Sequence, residues 1–73
     1  MLIDLESWVD FLDSSERSLL DALQHGKTIY VASAEAFLSL RTANRRLADL
    51  RRRAGVATTR DLVREYESLL AQN

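Results

Sequence analysis

Six arginines, Arg41, Arg45, Arg46, Arg51, Arg52 and Arg53, stand within thirteen residues, with Asn44 among them. A guanidinium is a planar fork of N–H donors that fits a phosphate or the edge of a guanine, and a carboxamide pairs in the same two-pronged way with adenine. The stretch therefore carries the chemistry of anion and nucleobase recognition. A charge run of this kind also suits the solvated face of an amphipathic helix. Asp49 lies within it and would repel phosphate unless an arginine neutralises it.

Other chemistries find little support. The chain has no cysteine and one histidine, His25, so neither a thiolate nor the usual zinc ligand set is available, and no metal or cofactor is expected. Ser14, Ser15, Ser33 and Ser39 have no histidine–carboxylate constellation around them, which a serine nucleophile would need. Glu65 and Glu67 are two apart on a helix and do not converge. No glycine loop could cradle a phosphate. An enzyme is not expected. His25 precedes Gly26 near a helix end, where a protonated ring interacts favourably with the dipole.

The net charge of −1 conceals an asymmetry. Residues 1–37 hold seven acids against two bases, and residues 38–73 hold eight bases against four acids. The overall pI of about 5.7 is low for a small nucleic-acid binder, so the acids would have to face away from such a partner. No apolar run approaches the length of a membrane span, and the first residues are acidic where a secretory leader would be basic. A cytoplasmic location is expected.

These residues need elements to position them. With 73 residues, no proline and two glycines, the chain is expected to form a single all-α domain. Leu2, Leu5, Trp8, Val9 and Leu12 recur at helical spacing and predict an opening helix over 1–11. Asp13, Ser14 and Ser15 supply cap chemistry for a second helix with Leu19, Leu20 and Leu23, ended by Gly26. Thr28 caps a third over 30–38, rich in small residues. Ser39 caps a fourth, whose stripe is Leu40, Ala43, Leu47, Leu50 and Ala54, with Gly55 as its terminator. Thr58 or Thr59 caps a last helix bearing Leu62, Val63, Tyr66, Leu69 and Leu70. A helix, a short turn and a basic helix together form the unit that enters a major groove.

From Leu12 to Val63 the chain resembles, without a gap, the LuxR/GerE-type helix-turn-helix domain of bacterial transcription factors. That family opens with leucine, a short cap, an Arg-Glu-Arg run and apolar residues ending in glycine. Here the stretch runs from Leu12 through Glu16, Arg17, Leu19, Leu20 and Leu23 to Gly26. Thirteen residues on, where the family has a capping serine, stands Ser39, followed by Arg41-Thr42-Ala43-Asn44 and by Leu47. Leu50, Arg52, Arg53, Gly55 and Val56 close the helix in register, and Thr58-Thr59-Arg60-Asp61-Leu62-Val63 is similar to the family's tail. Val31-Ala32-Ser33 and Ala36 replace larger residues, Ala43 a valine, Asn44 a lysine, Arg46 a histidine and Ala54 a leucine.

The resemblance implies a small helix-turn-helix bundle of four to five short helices over 12–73, with the 1–11 helix as an addition. It implies sequence-specific binding of duplex DNA to regulate transcription. The recognition helix would be residues 40–54. Asn44 and Arg45 would contact base edges, and Arg41, Thr42, Arg46, Arg52 and Arg53 would contact phosphates. Leu62, Tyr66, Leu69 and Leu70 would form the contact of a homodimer, or else close the monomer core, with Leu69 the residue most exposed to a partner. The alternative function is a small antagonist or adaptor that does not bind DNA and engages a regulator or another protein through its helical faces. Trp8 would then dock on a partner, or simply add to the core.

Overall fold

In the structure, a computed structural model, residues 8–71 are described. They form an all-α bundle: a 3₁₀ turn over Trp8–Phe11, then α1 (Ser14–Gln24), α2 (Ile29–Glu35), α3 (Leu40–Ala54) and α4 (Thr59–Ala71). No strand occurs among the described residues. Most of the opening helix expected over 1–11 lies outside the described residues. Its final stretch, Trp8–Phe11, is a 3₁₀ turn, not α-helix.

Each helix starts where a side-chain oxygen can take an orphan N–H. Asp13 accepts from the Glu16 amide at 2.8 Å while Glu16 accepts from the Asp13 amide at 3.1 Å, a reciprocal capping box on α1. Thr28 accepts from Val31, Ser39 from Thr42, and Thr58 from Asp61. Thr58, and not Thr59, is therefore the cap of α4.

The ends of α1, α2 and α3 share one device. In each, a residue in the left-handed region lets the next amide reach back to the last turn. Gly26 (φ 85°) allows Lys27 N–H to reach the Ala22 carbonyl at 3.1 Å, and Gly55 (φ 74°) allows Val56 N–H to reach that of Arg51 at 3.0 Å. At the end of α2 the same position is Phe37 (φ 59°), with Leu38 N–H bonded to the Ser33 carbonyl at 2.9 Å. This is why α2 stops at Glu35, short of the expected residue 38. The signal for a helix end is a glycine, and here a phenylalanine bears the backbone strain, about 1–2 kcal/mol for a residue with a Cβ.

One core joins the elements. Leu19, Leu20 and Ala22 of α1, Ala32 of α2, Ala36 after it, Ala43, Leu47 and Leu50 of α3, and Leu62 and Tyr66 of α4 are buried together with Val9 and Leu12. The alanines on the facing sides of α2 and α3 permit a close approach of the two backbones. The Trp8 ring tilts against Tyr66, with centroids 6.3 Å apart, so Trp8 adds to the core. Two polar ties complete the frame. The Tyr66 hydroxyl donates to Asp21 Oδ1 at 2.6 Å, and Arg51 donates to Thr59 Oγ1 at 2.9 Å. Burial and the Asp21 carboxylate push the Tyr66 hydroxyl up to about 12.

Candidate nucleic-acid interface

The site is one face of α3, and the core sets which face. With about 100° between successive helical residues, burying Ala43, Leu47 and Leu50 leaves Arg41, Arg45 and Arg52 on the opposite side and Asn44 on the flank beside them. All four are exposed. The helix begins at the turn formed by residues 36–39, and Ser39 Oγ bonds both the Thr42 amide at 3.1 Å and the Thr42 hydroxyl at 3.0 Å. Thr42, expected to hold a phosphate, is thus already part of the cap and only partly exposed.

The six arginines are not equivalent. Arg52 and Arg53 both reach Asp49, at 3.3 and 3.0 Å, so the acid that would repel phosphate is neutralised by its own helix. Arg51 is bonded to Thr59. Arg46 donates from one Nη to Asp13 Oδ2 at 2.9 Å and to Glu16 Oε2 at 3.3 Å. Arg41 and Arg45 have no side-chain hydrogen bond or ion pair among the described residues, and they flank Asn44 in the first half of the helix. Of these six, the guanidiniums without a partner among the described residues are therefore at the N-terminal end of α3.

Around the Arg46 pairs, the Glu16 amide and then the Arg46 guanidinium hold the Asp13 carboxyl below its ordinary value. The sequence singles out Arg46 as a phosphate contact but carries no sign of its pairing with Glu16, thirty residues away.

On α4, Leu62 and Tyr66 do not form a contact surface. They are 0% and 1% exposed within the chain itself, because α4 turns them onto α1 and α3. Leu69 and Leu70 are partly buried against the core and retain some exposed surface. The open side of α4 bears a shallow groove of about 360 Å³ lined by Leu23, Thr59, Arg60, Val63, Arg64 and Glu67. Four large apolar side chains are also exposed among the described residues: Phe11, then Tyr30 and Val31 on α2, and Phe37 in the turn, the last by 95%.

His25 donates through Nδ1 to the Asp21 carbonyl at 2.7 Å, where it closes the C-terminus of α1. No cluster of potential metal ligands occurs among the described residues, and no helix among them is long and apolar enough to cross a membrane. Comparison with family models, with curated proteins and with solved structures returns no match.

Proposed function

We propose that the chain binds duplex DNA through the first half of α3 and acts as a sequence-specific transcriptional regulator of the LuxR/GerE helix-turn-helix kind, working in the cytoplasm. The observation that carries this reading is the pair Arg41 and Arg45, exposed and unpartnered among the described residues, on either side of Asn44 and just behind a tight turn. Helix-turn-helix units present the N-terminal residues of the second helix to base edges. Asn44 and Arg45 read bases in this scheme, Arg41 holds a phosphate, and Arg52 and Arg53 reach phosphates only by sharing themselves with Asp49. The protein acts as a dimer. Along the outer side of α4, Arg60 and Arg64 precede Glu67, so two antiparallel copies related by a two-fold axis would set basic against acidic ends around Val63, with Leu69 and Leu70 beside them.

The test is titration onto mixed-sequence duplex DNA at several salt concentrations. Non-specific affinity is expected at roughly 10⁻⁴ to 10⁻⁶ M, falling linearly with log salt. Absence of binding at low salt would defeat the proposal.

The second reading, an adaptor or antagonist that engages a protein, is favoured by one observation: Tyr30, Val31 and Phe37 stand exposed in and just after α2. Under that reading Arg45→Ala leaves activity intact, and a charge at Leu69 or Phe37 abolishes it.

A further inference from the structure

We infer that Arg46 is a positioning residue, which locks α3 to the start of α1 and so sets the angle at which Arg41, Asn44 and Arg45 meet a duplex, and is not itself a phosphate ligand. The inference rests on the DNA-binding reading and assigns a role within that site.

The geometry is a closed network. Asp13 Oδ1 takes the Glu16 amide and Glu16 Oε1 takes the Asp13 amide, so each carboxylate has one oxygen left. The remaining two, Asp13 Oδ2 and Glu16 Oε2, both accept from the same Arg46 nitrogen. All four carboxylate oxygens are thereby engaged. The Glu16 side chain is 6% exposed, that of Arg46 37% and that of Asp13 55%, so the Glu16 arm of the joint is shielded and the Asp13 arm is open to water.

Two physical consequences follow. A guanidinium held by carboxylates at the cap and first turn of α1 adds a second restraint, beside the buried stripe of Ala43, Leu47 and Leu50, on the rotation of α3 about its own axis, and Arg46 is the immediate neighbour of Arg45. The joint also carries two negative charges against one positive charge. Its net field repels a phosphate, which keeps the backbone of a duplex off this flank and leaves it the Arg41–Asn44–Arg45 face. An arginine recruited to hold a phosphate would not be enclosed by two carboxylates.

The test compares wild-type protein with Glu16→Gln, Asp13→Asn, Arg46→Met and Arg46→Lys. Gln and Asn still accept the capping amides but turn an NH₂ toward Arg46, so they open the joint and keep the cap. Two duplexes serve as probes: the one that wild-type protein enriches from a random-sequence pool, and a mixed-sequence duplex. The ratio of the two affinities is measured well below each variant's melting temperature, along with the salt slope on mixed sequence.

Opening the joint is expected to lower the ratio about ten-fold. Glu16→Gln lowers the ratio even as it raises mixed-sequence affinity through its lost negative charge. Arg46→Met lowers the ratio with the salt slope unchanged, and Arg46→Lys restores part of it. Should Arg46→Met fail to fold, the Gln and Asn variants carry the test. The inference is overturned if Arg46→Met weakens both duplexes equally and reduces the salt slope by about one, the mark of a phosphate contact. It is equally overturned if the variants lose thermal stability with the ratio intact. Wild-type protein that binds neither duplex overturns both this inference and the DNA-binding reading; wild-type binding with an unchanged ratio in the variants overturns this inference alone.

Discussion

The two halves of α3 hold three arginines each and differ in how many are available. In the first half, Arg41 and Arg45 are exposed and free of partners among the described residues, and Arg46 alone is tied, to Asp13 and Glu16. In the second half, Arg52 and Arg53 are tied to Asp49 and Arg51 to Thr59. A count of arginines would rank the two halves as equal anion sites, with three in each. The contacts break that tie. A cation already paired must give up its partner before it can gain a phosphate, and one that is hydrated only must give up water.

Five substitutions and a titration with acid can break or sharpen this contrast. The largest effect concerns the seat that both halves share. Leu50 is fully buried beneath α3. Its replacement by alanine is expected to destabilise the fold by about 2–5 kcal/mol, read as a fall in the denaturant midpoint. A wild-type midpoint would mean that α3 is not held by this stripe, and the two halves would lose their fixed orientations.

Next comes the first half itself. Arg45→Ala is expected to cost about 1–3 kcal/mol in binding to the preferred duplex and to relax specificity at one base pair, while Arg52→Ala costs less. Equal losses at the two positions would erase the contrast. Asp49→Asn works in the opposite direction, since it releases Arg52 and Arg53. Affinity for mixed-sequence DNA should rise and the salt slope should steepen by about one. An unchanged slope would show that the second half lies off the duplex altogether.

Phe37→Gly addresses the turn that feeds the first half. Glycine relieves the left-handed backbone at little packing cost, since the ring is 95% exposed. A gain of up to about 1 kcal/mol in stability is expected, measured by the denaturant midpoint. If stability falls, the ring has a packing role that its exposure conceals.

The smallest effect is the acid dependence of the α1 cap. The folded Asp13 carboxyl lies below its ordinary value of 3.8, so its stabilising contribution is complete above that value and is lost as the pH falls through the lower, folded value. Wild-type protein should therefore lose more stability than Asp13→Asn between pH 5 and the acid limit. Parallel acid curves would remove Asp13 from the joint.

Much of the local architecture was legible because it depends on near neighbours. Asp13, Thr28, Ser39 and Thr58 cap helices through bonds to residues three positions on, and Gly26 and Gly55 end helices through their own backbone freedom. The stripe of Ala43, Leu47 and Leu50 follows from helical spacing. The neutralising of Asp49 was also within reach, since Arg52 and Arg53 lie three and four residues away. Phe37 was not legible as a helix end, because nothing in its side chain favours a positive φ. The exposure of Tyr30 and Val31 went unseen for a related reason: apolar residues in a short helix look like core until the packing shows which of them face inward.

By itself the amino-acid sequence determined an all-α chain, the starts of its helices, two of its three left-handed helix ends, and one arginine-rich face. Each depends on residues within a turn of one another, so hydrogen-bond geometry and side-chain period suffice. Only the tertiary structure decided that Arg46 is spent and which apolar residues of α4 are covered. Arg46 meets Glu16 across thirty residues of chain, and Tyr66 meets Asp21 across forty-five. Such pairings are set by how the helices pack against a common core, and a charge or an apolar side chain carries no mark of its distant partner.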